Sequence, residues 1–357
     1  MNVSASNERK SSILESLTSL YINTARPVSS SLIKDEFDLS VSSATIRNIL
    51  VELEELGYIE QPHTSSGRIP TDKGYRFYID TLMKKQNIRD EEKNELKLAC
   101  LSSAHKTQEI IDKTSEILAE ISNEAAINFF FNLSDSVLKH IELINLSLMQ
   151  VLVVLITDSG IVRNYIVNFN ESISTGELKR ISNFLNENLK NTPLVDIKTK
   201  LYTLLNEHNL VYLQLAHEAC RIFDALEADE LFERDYDIHQ DGINNIMNQP
   251  EFFNLEYLKD VLDVFESKER LAEILKDSFE PDFNNAKVTI GKENRCKGFQ
   301  NCSLVTAGYK IKDKTVGMFG LLGPTRMAYS RMLPLVEYMA EMMTETLNDF
   351  SRDERDE

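Results

Sequence analysis

Along the first quarter of the chain, apolar residues recur every three or four positions. Further on they alternate one by one. Between positions 11 and 23, Ile13, Leu14, Leu17, Leu20 and Tyr21 fall on one helical face. Pro27 ends that pattern, and Ser29 or Ser30 is placed to cap a short helix carrying Leu32, Ile33 and Phe37. The run Asp38-Leu39-Ser40-Val41 turns the chain into a third helix that buries Ile46, Ile49, Leu50, Leu53 and Leu56. Ser42 or Ser43 caps its start, and Gly57 suits a left-handed stop. Two short extended runs, 58–61 and 68–70, flank His63-Thr64-Ser65-Ser66-Gly67, a hairpin with the permissive Gly67 at its tip. Thr71 or Asp72 then caps a helix carrying Tyr75, Phe77, Tyr78, Ile79 and Leu82.

Residues 83–125 continue as charged helix. Alternation then predicts strands at 126–131 and 141–147, and a hairpin of 149–156 with 161–169 around Asp158-Ser159-Gly160. No strand is predicted for over a hundred residues after that. Alternation returns at 286–290, 302–311 and 315–322, the last two joined by a turn at Lys312-Asp313-Lys314, and a final helix covers 327–348. The intervening stretch, about 172–284, holds amphipathic helical runs at 178–189, 201–205, 215–226 and 258–275. The economical architecture is α+β and multidomain: an antiparallel sheet flanked by helices and interrupted by a mainly helical insert.

The first 84 residues read as three helices and a wing, the winged helix-turn-helix arrangement. In its third helix the outward positions Arg47 and Asn48 come early, while Glu52, Glu54 and Glu55 come late. Such a helix would approach phosphates by its N-terminal end, where the dipole is positive. Arg47 suits a guanine edge and Asn48 an adenine. Ser42, Ser43 and Thr45 offer hydroxyls to phosphates or base edges, and Thr45 has the alternative of facing the neighbouring helix. In the wing, His63, Thr64, Ser65, Ser66 and Arg68 suit backbone or minor-groove contacts. Lys73 and Arg76 add local positive charge, with Arg9 and Lys10 further candidates.

Residues 9–82 closely resemble the N-terminal part of the HrcA family, the heat-inducible transcription repressors of bacteria. The run LSVSSATIRNILVELEELGYIEQPHTSSGRIPTDKGYRFYID carries the resemblance, with IGKEN at 290–294 and GPTRMAY at 323–329 near the other end. The wing sequence together with GPTRMAY is specific to that family. The resemblance implies a GAF-like antiparallel sheet domain split by an inserted dimerisation domain. The expected division is therefore 1–84 for the winged helix, 85–171 with 285–357 for the GAF-like part and its helical linker, and 172–284 for the insert. It also implies a homodimer on an inverted-repeat double-stranded operator ahead of chaperone operons, and dependence on a chaperonin of the GroEL type.

Charge complicates this expectation. The net charge is −18. Residues 1–84 hold nine Lys and Arg against eleven Asp and Glu, a balance of −2, so the remainder carries −16. Attraction to phosphate must be local, and an acidic body favours discrimination over general DNA affinity. A further acidic block at 224–237, with seven acids and one Arg, reads as a solvated helix face.

Cys100, Cys220, Cys296 and Cys302 have no CxxC spacing and read as reduced thiols. The six histidines form no close ligand pair, and no P-loop, HExxH or GxSxG motif is present, so neither metal, cofactor nor catalysis is expected. The start MNVSASNERK lacks a signal-peptide core and the apolar run 148–156 is too short to span a bilayer, so a cytoplasmic location is expected. The competing reading is a metabolite-responsive winged-helix regulator with a ligand cleft in the GAF-like part near Gly291, Thr325 and Arg326. The same residues also suit a plain cap and turn for the last helix.

Overall fold

In the computed structural model, the residues described are 2–37, 42–63, 66–102, 107–131, 137–147, 149–158, 162–169, 173–205, 210–227, 236–278, 285–311 and 314–353. The predicted turn at 38–41, the wing residues Thr64 and Ser65, the turn residues 159–160 and 312–313, and most of the acidic block lie outside them.

The chain begins with α1 (Asn2–Thr24), α2 (Ser30–Glu36) and α3 (Ser43–Glu55). Their apolar faces meet in one core of Ile13, Leu14, Leu17, Ile33, Ile46, Ile49, Leu50 and Leu53. Helix α1 starts nine residues earlier than the periodicity predicts. Ser29 and Ser42 prove to be the N-caps of α2 and α3, accepting from the amides of Leu32 and Thr45 at 3.2 and 3.1 Å. Gly57 stops α3 with φ of 75°. Leu56, expected in the core, is half exposed because it sits at the C-cap, past the last turn that faces α1. Strands β1 (Ile59–Glu60) and β2 (Ile69–Pro70) pair antiparallel, and Val28 extends the ribbon by bridging Arg68. Thr71 caps α4 (Asp72–Phe77), which continues as a π-turn over Tyr78–Leu82.

Helices α5 (Asp90–Ser102) and α6 (Thr107–Ser122) lead into the body. Strand β3 (Ala125–Phe131) is followed by a separate antiparallel sheet, β4 (Leu138–Ser147), β5 (Gln150–Thr157) and β6 (Val162–Asn168), in the order β4-β5-β6. Its inner face, Ile141, Leu143, Val151, Val153 and Val167, packs on α7 (Thr175–Leu189), α8 (Ile197–Leu204) and α9 (Leu210–Glu227). A capping box at Ser174 and Glu177 starts α7. The buried Ser182 and half-buried Asn186 side chains both donate to the Ile141 carbonyl, fixing α7 on the sheet.

Strand β7 (Tyr236–Asp241) then returns to β3. After it come α10 (Ile243–Met247), α11 (Leu255–Phe265), α12 (Lys268–Ser278), β8 (Lys287–Ile290), β9 (Cys302–Ile311), β10 (Lys314–Pro324) and α13 (Tyr329–Asp353). The second sheet runs β7-β3-β10-β9-β8, all antiparallel. Both of its faces are covered, and the two-residue period sorts the side chains between them. Val305, Ala307, Tyr309, Phe319 and Leu321 face α13 with α5 and α6. Cys302, Leu304, Met318 and Leu322 face α11 and α12.

One expectation changes here. Strand β7 lies inside the stretch predicted to hold no strand. It is a polar edge strand whose one fully buried side chain is Ile238, so alternation barely marks it. Residues 138–226 close one core, whereas 236–278, assigned to the insert, pack on the five-stranded sheet. The strands β4–β6 carried the same alternation as β3, and sequence gave no means of assigning them to a different sheet.

Glu124 occupies the seam between that sheet and α10. It is almost wholly buried and accepts from Gln249 Nε2 at 3.0 Å. A Cβ on Gly323 would stand 2.2 Å from its carboxylate, so the glycine makes room for it. Burial pushes its pKa from 4.5 up to about 8. The folded chain therefore holds the proton that the unfolded chain sheds above pH 4.5. The associated stability is fully present below 4.5 and lost as pH rises to about 8. Glu124→Gln is expected to remove this decline, so its advantage over the wild type grows across that window to roughly 2–5 kcal/mol. Denaturant midpoints of the two proteins measured across that range test this, and parallel pH profiles would refute it.

Candidate nucleic-acid interface

The first turn and a half of α3 is the open surface of the three-helix head. The buried face of α3 leaves Arg47 and Asn48 exposed on the other side. Among the described residues neither side chain has a hydrogen bond or ion pair. Ser42 is exposed and Ser43 half-buried. Thr45 is partly committed, with its hydroxyl 2.9 Å from that of Ser42. The helix thus offers unpaired amides at its positive end, three hydroxyl side chains of which those of Ser42 and Thr45 are bonded to each other, an amide and an uncommitted guanidinium.

The hairpin is fastened at its base. Ser66 Oγ donates to the His63 carbonyl at 2.7 Å and accepts from the His63 amide at 3.0 Å. Gln61 Nε2 donates to the Ser66 carbonyl at 2.9 Å. Ser66 is therefore a turn-former, and His63 is left exposed beside it. Gly67 does not serve as a left-handed tip. A Cβ there would lie 2.5 Å from the Val28 carbonyl oxygen, so its role is to let the Val28 strand approach.

The structure does not bring the other predicted cations to this open face. Arg68 Nε donates to Glu54 Oε2 at 2.9 Å, tying the hairpin to the last turns of α3. Lys73 Nζ donates to the Leu56 carbonyl at 2.8 Å and lies 4.6 Å from the Tyr58 ring centre, so it closes the C-terminus of α3. Arg76 faces the body: it ion-pairs with Glu293 and Asp80 and donates to the Val288 carbonyl at 2.6 Å. These partnerships are separated in sequence by 14, 17 and more than 200 residues, which no local pattern reveals.

Lys10 was another candidate, and it pairs with Glu52 at 2.8 Å. Lys10 and Arg68 together offset two of the carboxylates that would otherwise repel phosphates from the far end of α3. The residues of the alternative ligand cleft are also occupied. The Gly291 loop is packed on Asp72, Tyr329 Oη donates to the Thr325 carbonyl at 2.6 Å, and Arg326 pairs with Glu251 and Gln249. No described helix is long and apolar enough to cross a membrane.

Comparison with known proteins places this geometry. The family model described as the HrcA protein C terminal domain matches residues 108–333. A heat-inducible transcription repressor HrcA of Desulforamulus reducens is 36% identical over 96% of this chain and 97% of its own length. Proteins of the same name from Brevibacillus brevis and Syntrophobacter fumaroxidans are 33% and 32% identical, covering 95% and 97% of this chain and 97% and 99% of their own. A crystal structure titled as a hypothetical protein shares the fold, with a TM-score of 0.67 and 23% identity over 96% of this chain and 98% of that one. Helices mixed with antiparallel sheets, and relatives of that name over nearly the whole length, define the class: an α+β transcription repressor of the heat-inducible kind. Within that class, the chain belongs to the HrcA family.

Proposed function

We propose that this chain represses chaperone operons by reading an inverted-repeat operator as a homodimer in the cytoplasm, with its head acting as a winged helix. The observation that carries the reading is Arg47 with Asn48, exposed and uncommitted on the capped end of α3. Arg47 would read a guanine edge, Asn48 an adenine, and Ser42, Ser43 and Thr45 would meet phosphates or bases. His63, Thr64, Ser65 and Ser66 would lie along the backbone or minor groove. Arg68 and Lys73 would act from behind by bracing the wing and α3.

The outer face of the β4–β6 sheet supports the dimer. Ile144, Leu152 and Ile166 are cross-strand neighbours there, with Val154, Ile156 and Val162 beside them. Ile144, Val162 and Ile166 are each more than 40% exposed, an unusual concentration for a solvent face. Residues 138–226 would then be the inserted dimerisation unit, and the five-stranded sheet with its helices the GAF-like domain. Two heads on one operator raise avidity by roughly 10²–10⁴. Help from a GroEL-type chaperonin fits the topology. Phe319 of β10 pairs with Asn128 of β3 across the whole insert, and such distant pairing folds slowly and exposes apolar surface meanwhile.

Footprinting on an inverted-repeat duplex from the chain's own chaperone promoter, with and without chaperonin, tests this. Protection of both half-sites, increased by chaperonin, is expected. Absence of any retained duplex at low salt would reject the reading.

A further inference from the structure

The joint between head and body combines an apolar contact with directional polar ones, and two stretches far apart in sequence build the polar part. On the head side, α4 presents Asp72 and Arg76. On the body side, the loop after β8 presents Gly291, Lys292 and Glu293. Arg76 Nε donates to Glu293 Oε1 at 2.9 Å, and Nη2 engages both the second Glu293 oxygen and the Val288 carbonyl. Glu293 is itself fixed by accepting from the Ile290 amide at 2.9 Å. Asp72 Oδ2 accepts from the Lys292 amide at 3.0 Å.

The loop comes this close because Gly291 takes φ of 51° and has no side chain. A Cβ there would stand 2.3 Å from the Asp72 carboxylate. Deeper in the same joint the Tyr75 and Tyr329 rings meet at 5.9 Å, and Arg326 Nη1 reaches the Ile22 carbonyl at 3.4 Å. The connecting segment is also held, by Lys85 on Glu337 at 2.6 Å and by the Gln86 amide on the Ser330 carbonyl at 2.8 Å.

A guanidinium paired through two nitrogens to one carboxylate fixes an angle as well as a distance. Apolar contact crosses the joint too, since Tyr75 of α4 lies in the body's core with Tyr21, Ile22 and Ile79 packed beside it, but such contact has no preferred direction and does not by itself set an angle. The joint also lies on α4, while Arg47 and Asn48 on α3 remain uncovered. It therefore constrains where the reading surface points without blocking it.

We infer that Asp72, Arg76 and Glu293 are positioning residues for operator reading: they lock the head at one angle on the body, and so set the half-site spacing that paired heads accept. This rests on the dimeric operator reading above. A locked pair of heads fits half-sites at one separation and on one face of the duplex, because a helical turn brings the groove round every 34–36 Å or so. A released pair can follow half-sites that have been moved apart or rotated.

The test uses the full-length protein and two body-side variants, Glu293→Gln and Gly291→Ala. One weakens the ion pair, and the other pushes the loop off Asp72 without changing charge. Neither removes a group from the DNA-reading helix. Affinity is measured for a single half-site, for the natural inverted repeat, and for repeats with half a helical turn inserted or deleted. The wild type should lose roughly 100-fold on the altered repeats, through loss of the second engagement. Both variants should lose less than about 10-fold while binding the single half-site within about threefold of wild type. Small-angle scattering of the free proteins should show a larger maximum dimension for both variants, at an unchanged oligomeric state. Variants that keep the wild-type spacing profile overturn the inference, and so does unchanged scattering. If the wild type itself ignores both half-site and repeat, it is the operator reading that has failed, and this inference falls with it.

Discussion

Arg47→Ala is expected to bind its operator roughly 30-fold to 10⁴-fold more weakly than the wild type while melting at the same temperature. A bidentate arginine–guanine contact contributes about 1–3 kcal/mol, and the proposed dimer would make it twice, giving about 2–6 kcal/mol. The fold should be indifferent, because Arg47 is exposed and uncommitted and alanine suits a helix at least as well. Arg47→Lys separates charge from geometry. It retains attraction to phosphate but lacks the planar fork, so specific affinity should fall while binding to random duplex changes little. Titrating salt adds a second readout: Arg47→Ala should reduce the salt dependence only if Arg47 sits on a phosphate instead of a base. Wild-type affinity in the alanine variant would mean that α3 does not enter the groove by its first turn.

Arg68, Lys73 and Arg76 explain why composition alone overstates the positive surface of this head. Each is a cation in the right stretch of sequence, and each is committed within the chain: to a carboxylate, to a helix C-terminus, to the body. What sequence made legible was whatever repeats locally. The buried face of α3 follows from Ile46, Ile49, Leu50 and Leu53 at helical spacing, and β9 from ten residues that alternate between two covered faces. What it could not show depends on distant partners. Nothing around Glu293 announces Arg76, and nothing around Gly67 announces the Val28 carbonyl. Ile238 alone could not mark β7, because an edge strand on a covered sheet needs few apolar side chains of its own. The strand at 141–147 was legible, but its membership of a second sheet was not, since alternation is blind to pairing partner.

The acidity of the chain bears on the same surfaces. With −18 overall, two copies repel each other and the body repels DNA. The outer face of β4–β6 is one place where repulsion is weak: within its apolar centre Glu142 and His140 are the ionisable neighbours, and they stand only 3.3 Å apart at one end. Association there would rely on apolar burial, and reading there would rely on a few uncommitted groups at α3. Both proposed functions would then hinge on small patches in an otherwise unfavourable field.

On the proposed dimeric reading, Ile166→Glu is accordingly expected to leave the chain monomeric and to lower operator affinity by about 10²–10⁴, through loss of the second head. Ile166 sits on an outer strand opposite Leu152, which in turn faces Ile144, so the change puts a carboxylate into the apolar row. In the free subunit the position is 53% exposed, and the folded chain should lose at most about 1 kcal/mol in strand preference. In a dimer sealed over this face the same carboxylate would lose its water without gaining a cation, a penalty of several kcal/mol. Sedimentation at micromolar concentration reads the first effect and titration against whole and half operators reads the second. The pattern should be the reverse of Arg47→Ala: binding to a single half-site is kept and the gain from the second half-site is lost. A dimer that survives Ile166→Glu would place the two-fold interface elsewhere on the chain. One that dissociates while still binding the full repeat at wild-type strength would mean that the heads can pair on DNA without it.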